Sequence, residues 1–201
     1  MKTESSNLKA EAESIVRDLH LLEMLRIHGD VRIVGSVALD LVVKPDIDIH
    51  VVTETEDLLS VADAVYHSLL AQAGVKHVRI SDYRERGGMK VGVDSHPGRL
   101  AKWSIDLWLT NDRETTGFIL VDRLARQLTG EHREAILAIK QALYAEGKLQ
   151  DGLSTHTYAA VVEHGVRSVV EFQDYMKAGS NKPMHTDVAL PAASRPPTPR
   201  G

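Results

Sequence analysis

The chain has 201 residues, enough for one domain, or for a compact domain with a helical appendage, and enough to bury a core without staples. A hydrophobic fraction of 43% is that of a soluble globular protein, and aromatics at 4% leave the core mostly aliphatic. The absence of cysteine excludes disulfides, thiolate catalysis and cysteine-zinc sites, and a net charge of −4 argues against a long nucleic acid as partner, because gripping phosphates needs a basic excess.

Met1 to Asn7 is polar and has no signal-like apolar core. No apolar run approaches the ~20 residues of a membrane span. A cytoplasmic protein with no membrane partner is the expectation. Leu8 to Ile27 reads as one amphipathic helix, with Leu8, Ile15, Leu19 and Leu22 near helical spacing and Gly29 at its stop. Val31 to Val34 is a β-branched strand that Gly35 ends. Ser36 to Val42 reads as one or two helical turns, broken by Lys44-Pro45. Asp46 to Val52 alternates strictly, with Ile47, Ile49 and Val51 on one face and Asp46, Asp48 and His50 on the other. Asp57 to Ala73 predicts a helix. Val75 to Ser81 and Met89 to Val93 predict strands, with turns at Arg84 to Gly88 and Ser95 to Gly98. In the last strand, Lys102 to Leu109, Trp103, Ile105, Leu107 and Leu109 share one face, and Lys102, Ser104, Asp106 and Trp108 the other. Helices follow near 115–128, 131–145, 154–163 and 166–176.

Strands early and helices late predict an α+β fold: a small mixed sheet with helices packed on one face, followed by a helical region. The expected division is a catalytic domain over 8–112, a helical domain over 113–177, and a proline- and serine-rich tail over 178–201 that is too poor in apolar residues to order itself.

Two aspartates at i and i+2 on a strand point the same way, about 7 Å apart at Cα. They can share a hard cation that prefers oxygen, such as Mg2+. Asp106, a carboxylate in an otherwise apolar strand, is the candidate third ligand, with Asp94 and Asp112 as competitors. Together the three would make a two-metal clamp for phosphoryl transfer. Gly35-Ser36 joins a strand to a helix, where free N–H groups attract phosphate and glycine permits close approach. Lys44, Lys90, Arg99 and Lys102 can each neutralise a triphosphate; Lys90 and Lys102 rank first because they lie on strands near Asp106. His50 shares the Asp48 face, where it either touches substrate or sits half-buried. Trp103 belongs to the core and Trp108 to a pocket wall.

The run Gly35-Ser36…Asp46-Ile47-Asp48-Ile49 with downstream Asp106 resembles the DNA polymerase beta-like nucleotidyltransferase superfamily, over Val31 to Leu109. The Lys44-Pro45 before the acidic strand is also similar to the GrpB-like group. The first resemblance implies transfer of an NMP from an NTP, ATP among them, with Mg2+ as cofactor. Asp46, Asp48 and Asp106 would be ligands, with Asp106 as base. Gly35, Ser36, Lys90 and Lys102 would bind nucleotide. The helical half looks like that of small-molecule nucleotidyltransferases, so the expected partners are an NTP and a small-molecule acceptor of antibiotic type. The alternatives are a regulator that nucleotidylates or binds a partner protein and a non-catalytic member of the fold. Assembly stays open, with a homodimer as one option.

Overall fold

Alternation along Asp46 to Val51 puts three β-branched side chains on one face and three polar ones on the other. The computed structural model, which describes residues 2–150 and 152–179, shows the strand that results, β2 (Asp46–Val52). β1 (Asp30–Val34) lies antiparallel on one side of it, and β5 (Lys102–Thr110) runs parallel on the other. β4 (Gly88–Pro97) and β3 (Val78–Tyr83) follow, each antiparallel to its neighbour, so the mixed five-stranded sheet has the order β1-β2-β5-β4-β3. The β2–β5 register sets Asp48 beside Asp106 and His50 beside Trp108.

One face of this sheet is the main core. Ile47, Ile49 and Val51 of β2 and Ile105, Leu107 and Leu109 of β5 are fully buried there, under α1 (Lys2–Asp18), α2 (Leu21–Arg26) and α4 (Leu58–Leu70). Each such side chain contributes about 1.5–3 kcal/mol. The expected α+β class, a small mixed sheet packed with helices and followed by a helical region, is what the chain forms. The face that carries Asp48 and Asp106 is met instead by α3 (Gly35–Leu39), α5 (Phe118–Gln127), α6 (Gly130–Ala145) and α7 (Leu153–His164). With α8 (Val169–Lys177) these helices build a second apolar cluster, into which Leu39, Leu41 and Val43 reach from the first half of the chain. No helix among the described residues is long and apolar enough to cross a membrane.

Several boundaries differ from the sequence expectation. The helix expected over Leu8–Ile27 is two helices, parted at His20, whose φ is 47°. Leu19 and Leu21 would point away from each other on one continuous helix; the break lets both bury. β3 begins at Val78, not Val75. The turn expected at Ser95 is a bulge: pairing slips between Val93 and His96, resumes at His96–Trp103, and the hairpin closes where Gly98 N donates to Ala101 O. The expected tail lies, from residue 180 onward, outside the described residues.

One buried carboxylate ties α1 to that hairpin. Glu11 accepts from Trp103 Nε1 at 3.0 Å and from Leu100 N at 2.8 Å. Its removal orphans a buried indole N–H, and hydrogen bonds to a charged group contribute about 1.5–3 kcal/mol each. Glu11→Ala is therefore expected to lower the melting midpoint by roughly 4–10 °C. A circular-dichroism melt checks this, and an unchanged midpoint would remove Glu11 from the list of ties.

Candidate active site

β1 ends where Val34 pairs with Asp48, and the chain turns at once into α3. The turn requires Gly35, whose φ is 63°. A Cβ at this position would also stand 2.6 Å from Asp48 Oδ2. Glycine thus makes room for the carboxylate as well as for the turn.

Asp46 and Asp48 project from β2 and Asp106 from β5 onto the same face. One carboxylate oxygen from each lies within 4.8 Å of the others. Burial first, then the charges of Asp46 and Asp106, holds the Asp48 carboxyl well above the ordinary carboxylate range, against the opposing pull of Lys44 and Lys90. Two ammoniums flank the triad: Lys44 Nζ lies 3.0 Å from Asp46 Oδ2, and Lys90 Nζ lies 2.7 Å from Asp106 Oδ2. Three carboxylates this close form a set of hard oxygen donors that suits Mg2+ or Mn2+.

The cleft above the triad is walled by the helical half. Lys140 of α6 is only 1% exposed, yet its Nζ donates to Ser36 Oγ at 2.7 Å, Leu41 O at 2.8 Å and Tyr158 Oη at 3.2 Å. Lys140 forms no ion pair among the described residues. Ser36 is therefore no cap for α3: Val34 is the N-cap, with no side-chain bond, and the Ser36 hydroxyl faces Lys140 and Tyr158. Sequence reasoning missed Lys140 and Tyr158. The one available signal was the placing of Lys140 on the apolar face of α6, among Ile136, Ile139 and Leu143.

Beyond Asp48 on β2, His50 lines the same cleft. Gly117 N, at the start of α5, donates to its Nδ1 at 3.1 Å. Burial pushes its pKa down to about 3, so the ring is neutral at physiological pH and carries its proton on Nε2. Trp108, beside it on β5, also lines the cleft, while Trp103 is core.

Of the candidates from the sequence, Gly35, Ser36, Asp46, Asp48, Asp106, Lys44 and Lys90 all line this cleft. Lys102 does not. It opens β5 opposite Pro97, exposed, four residues short of Asp106 and so ~13 Å away along the strand. Alternation gave the correct face for Lys102 but not its depth along the sheet. Arg99 is exposed in the β4–β5 hairpin. Asp94 pairs with Arg79 and Asp112 caps a 3-10 turn over 113–115, so neither competes with Asp106.

No family model matches the chain, and no curated protein matches it. Solved structures do. The Cid1 poly(U) polymerase bound to MgGTP superposes with a TM-score of 0.52 at 16% identity, over 69% of this chain and 43% of that one. A mutant of the same polymerase bound to MgATP gives 0.53 at 16%, over 70% and 44%. A third, a Cid1 structure concerned with RNA terminal uridylyl transferase activity, gives 0.51 at 17%, over 68% and 40%. The chain shares the fold of these polymerase structures. The chain spans less than half the length of these polymerases. On this fold the acidic pair and the third aspartate occupy neighbouring strands, in register, on the face that the helical half covers.

Proposed function

We propose that the chain is a metal-dependent nucleotidyltransferase that moves an NMP from an NTP to a hydroxyl of a small-molecule acceptor. The convergence of Asp46, Asp48 and Asp106 within 4.8 Å carries this reading. The three would hold Mg2+, which supplies neutralising charge to the transferring phosphoryl group and polarises the oxygens around it. The chain's own residues bind and orient. Ser36 Oγ and Lys140 Nζ offer hydroxyl and ammonium donors to the leaving phosphates. Lys44 adds positive charge at the near rim, and the buried, neutral Nε2–H of His50 offers a donor beyond the triad. Residues 8–112 would form the catalytic domain and 113–177 a helical domain that closes the cleft.

A small acceptor fits the net charge of −4, which provides no positive excess for a long polyanion. The similar solved structures belong to Cid1, a polymerase with RNA terminal uridylyl transferase activity, so an RNA 3′ hydroxyl is the competing acceptor. The test is calorimetric titration with each of the four NTPs plus magnesium. Pyrophosphate release is then measured with aminoglycoside-type polyols in one arm and a short RNA in the other. Magnesium-dependent NTP binding and release with the polyols alone are expected. Release with RNA alone would move the acceptor to RNA, and no NTP binding at all would overturn the reading.

Lys140 supplies a second check. Lys140→Met removes a charge-assisted donor to phosphate, about 1.5–3 kcal/mol, and is expected to weaken NTP binding about ten- to hundredfold. The melting midpoint should move little, because the buried ammonium has no carboxylate partner to orphan among the described residues. Unchanged affinity would mean that Lys140 only braces Ser36 and Leu41.

A further inference from the structure

We propose that Lys90 is a resident cation of the acidic centre, holding one oxygen of Asp106 so that the triad takes one divalent ion instead of two. This rests on the nucleotidyltransferase reading above. Lys90 and Asp106 are not direct cross-strand partners: Lys90 pairs with Trp108, and Asp106 with Gly92. Lys90 reaches Asp106 diagonally, across Gly92. A Cβ at Gly92 would stand 3.4 Å from Asp106 Oδ1 and 3.9 Å from Lys90 Cε. The missing side chain at 92 leaves open the lane through which the ammonium reaches the carboxylate. The same space is bordered by the guanidinium of Arg79, 3.9 Å from that Cβ position. On its β4 side Asp106 therefore faces the Lys90 ammonium, while the Arg79 guanidinium nearby is paired with Asp94.

The contact is tight and sheltered. Lys90 Nζ lies 2.7 Å from Asp106 Oδ2, with the two side chains 14% and 28% exposed. A half-buried pair is screened less than a surface one. It is also the only ion pair of Lys90 among the described residues, and no carboxylate outside the triad lines the cleft to receive a displaced ammonium. Lys44 differs. Its contact with Asp46 is longer, at 3.0 Å, and its side chain is 36% exposed.

A second divalent ion that took the same oxygen would have to displace that ammonium from Asp106 Oδ2. Lys90 thus supplies at Asp106 the positive charge that a second ion would bring.

The test counts ions directly. Metal-free wild type, Lys90→Met and Lys90→Arg, each confirmed folded by its melting curve, are titrated with MnCl2 in the presence of the α,β-methylene analogues of the four NTPs. Bound Mn2+ is read by electron paramagnetic resonance. The expected result is one Mn2+ per wild-type chain, one in Lys90→Arg, which keeps the charge, and two in Lys90→Met. Two ions ~3.5–4 Å apart would add an exchange-coupled signal in Lys90→Met that wild type lacks. Two ions in wild type, or one in Lys90→Met, would overturn the role given to Lys90 and leave the nucleotidyltransferase reading standing. No bound ion in wild type with any analogue would overturn that reading itself.

Discussion

Asp48→Asn is expected to abolish the proposed nucleotidyl transfer and, at neutral pH without metal, to raise the melting midpoint. The loss of transfer follows from the ligand role proposed for Asp48. A contribution of about 4 kcal/mol to the transition state corresponds to roughly a thousandfold in rate. The gain in stability follows from the same residue's surroundings. Asp48 sits buried between Asp46 and Asp106, and its carboxyl titrates well above the ordinary carboxylate range. A group whose folded pKa is raised binds its proton more tightly in the native state. Its ionisation therefore destabilises the fold increasingly as pH rises from about 4, the unfolded value, to the raised native one, and the cost persists at higher pH. Asparagine carries no charge to desolvate. The difference in midpoint between variant and wild type should be near zero below about pH 4 and should open as pH rises. Magnesium with nucleotide should then stabilise wild type and leave the variant behind. A variant that melts lower than wild type at pH 7, or that retains transfer, would make Asp48 a structural residue.

The same contrast between local and non-local information separates what the sequence revealed from what it hid. The acidic pair was legible because a period of two is unambiguous when apolar and polar residues alternate without exception from Asp46 to Val51. Asp106 was legible as a lone carboxylate in an apolar strand, although its in-register place beside Asp48 came only with the parallel β2–β5 pairing. Lys102 shows the limit of alternation: it reports a face and says nothing of distance along the strand. Lys140 shows a deeper limit. A lysine at the edge of an apolar stripe ordinarily lays its stem on the core and sends its ammonium to water. Only the packing of α6 and α7 onto α3 turns Lys140 inward, toward a serine 104 residues away. The break at His20 left no mark in the local pattern, because burial of both Leu19 and Leu21 under one sheet face is a tertiary demand.

Gly35→Ala is expected to damage the site more than Ser36→Ala, and the reason lies in Asp48. The sequence suggested that a side chain at 35 would occupy space needed by phosphate. The structure shows that the first obstacle is the carboxylate itself, 2.6 Å from the Cβ that alanine would add. Alanine also carries a left-handed backbone cost of about 1–2 kcal/mol at a φ of 63°. Gly35→Ala should therefore lower the melting midpoint by several degrees and also push Asp48 out of line with Asp46 and Asp106, so that metal-dependent NTP binding is lost. Ser36→Ala removes one hydroxyl, and Lys140 keeps Leu41 O and Tyr158 Oη as acceptors. It should weaken NTP binding about tenfold, the worth of one hydrogen bond, with little change in midpoint. A double-mutant cycle isolates the clash. Asp48→Ala deletes the carboxylate that the new methyl group meets, so in Gly35→Ala/Asp48→Ala only the backbone cost should remain. The two substitutions should then couple by about 0.5–3 kcal/mol. Additive effects in calorimetric melts would mean that Gly35 serves the turn alone and that Asp48 owes its position to other contacts.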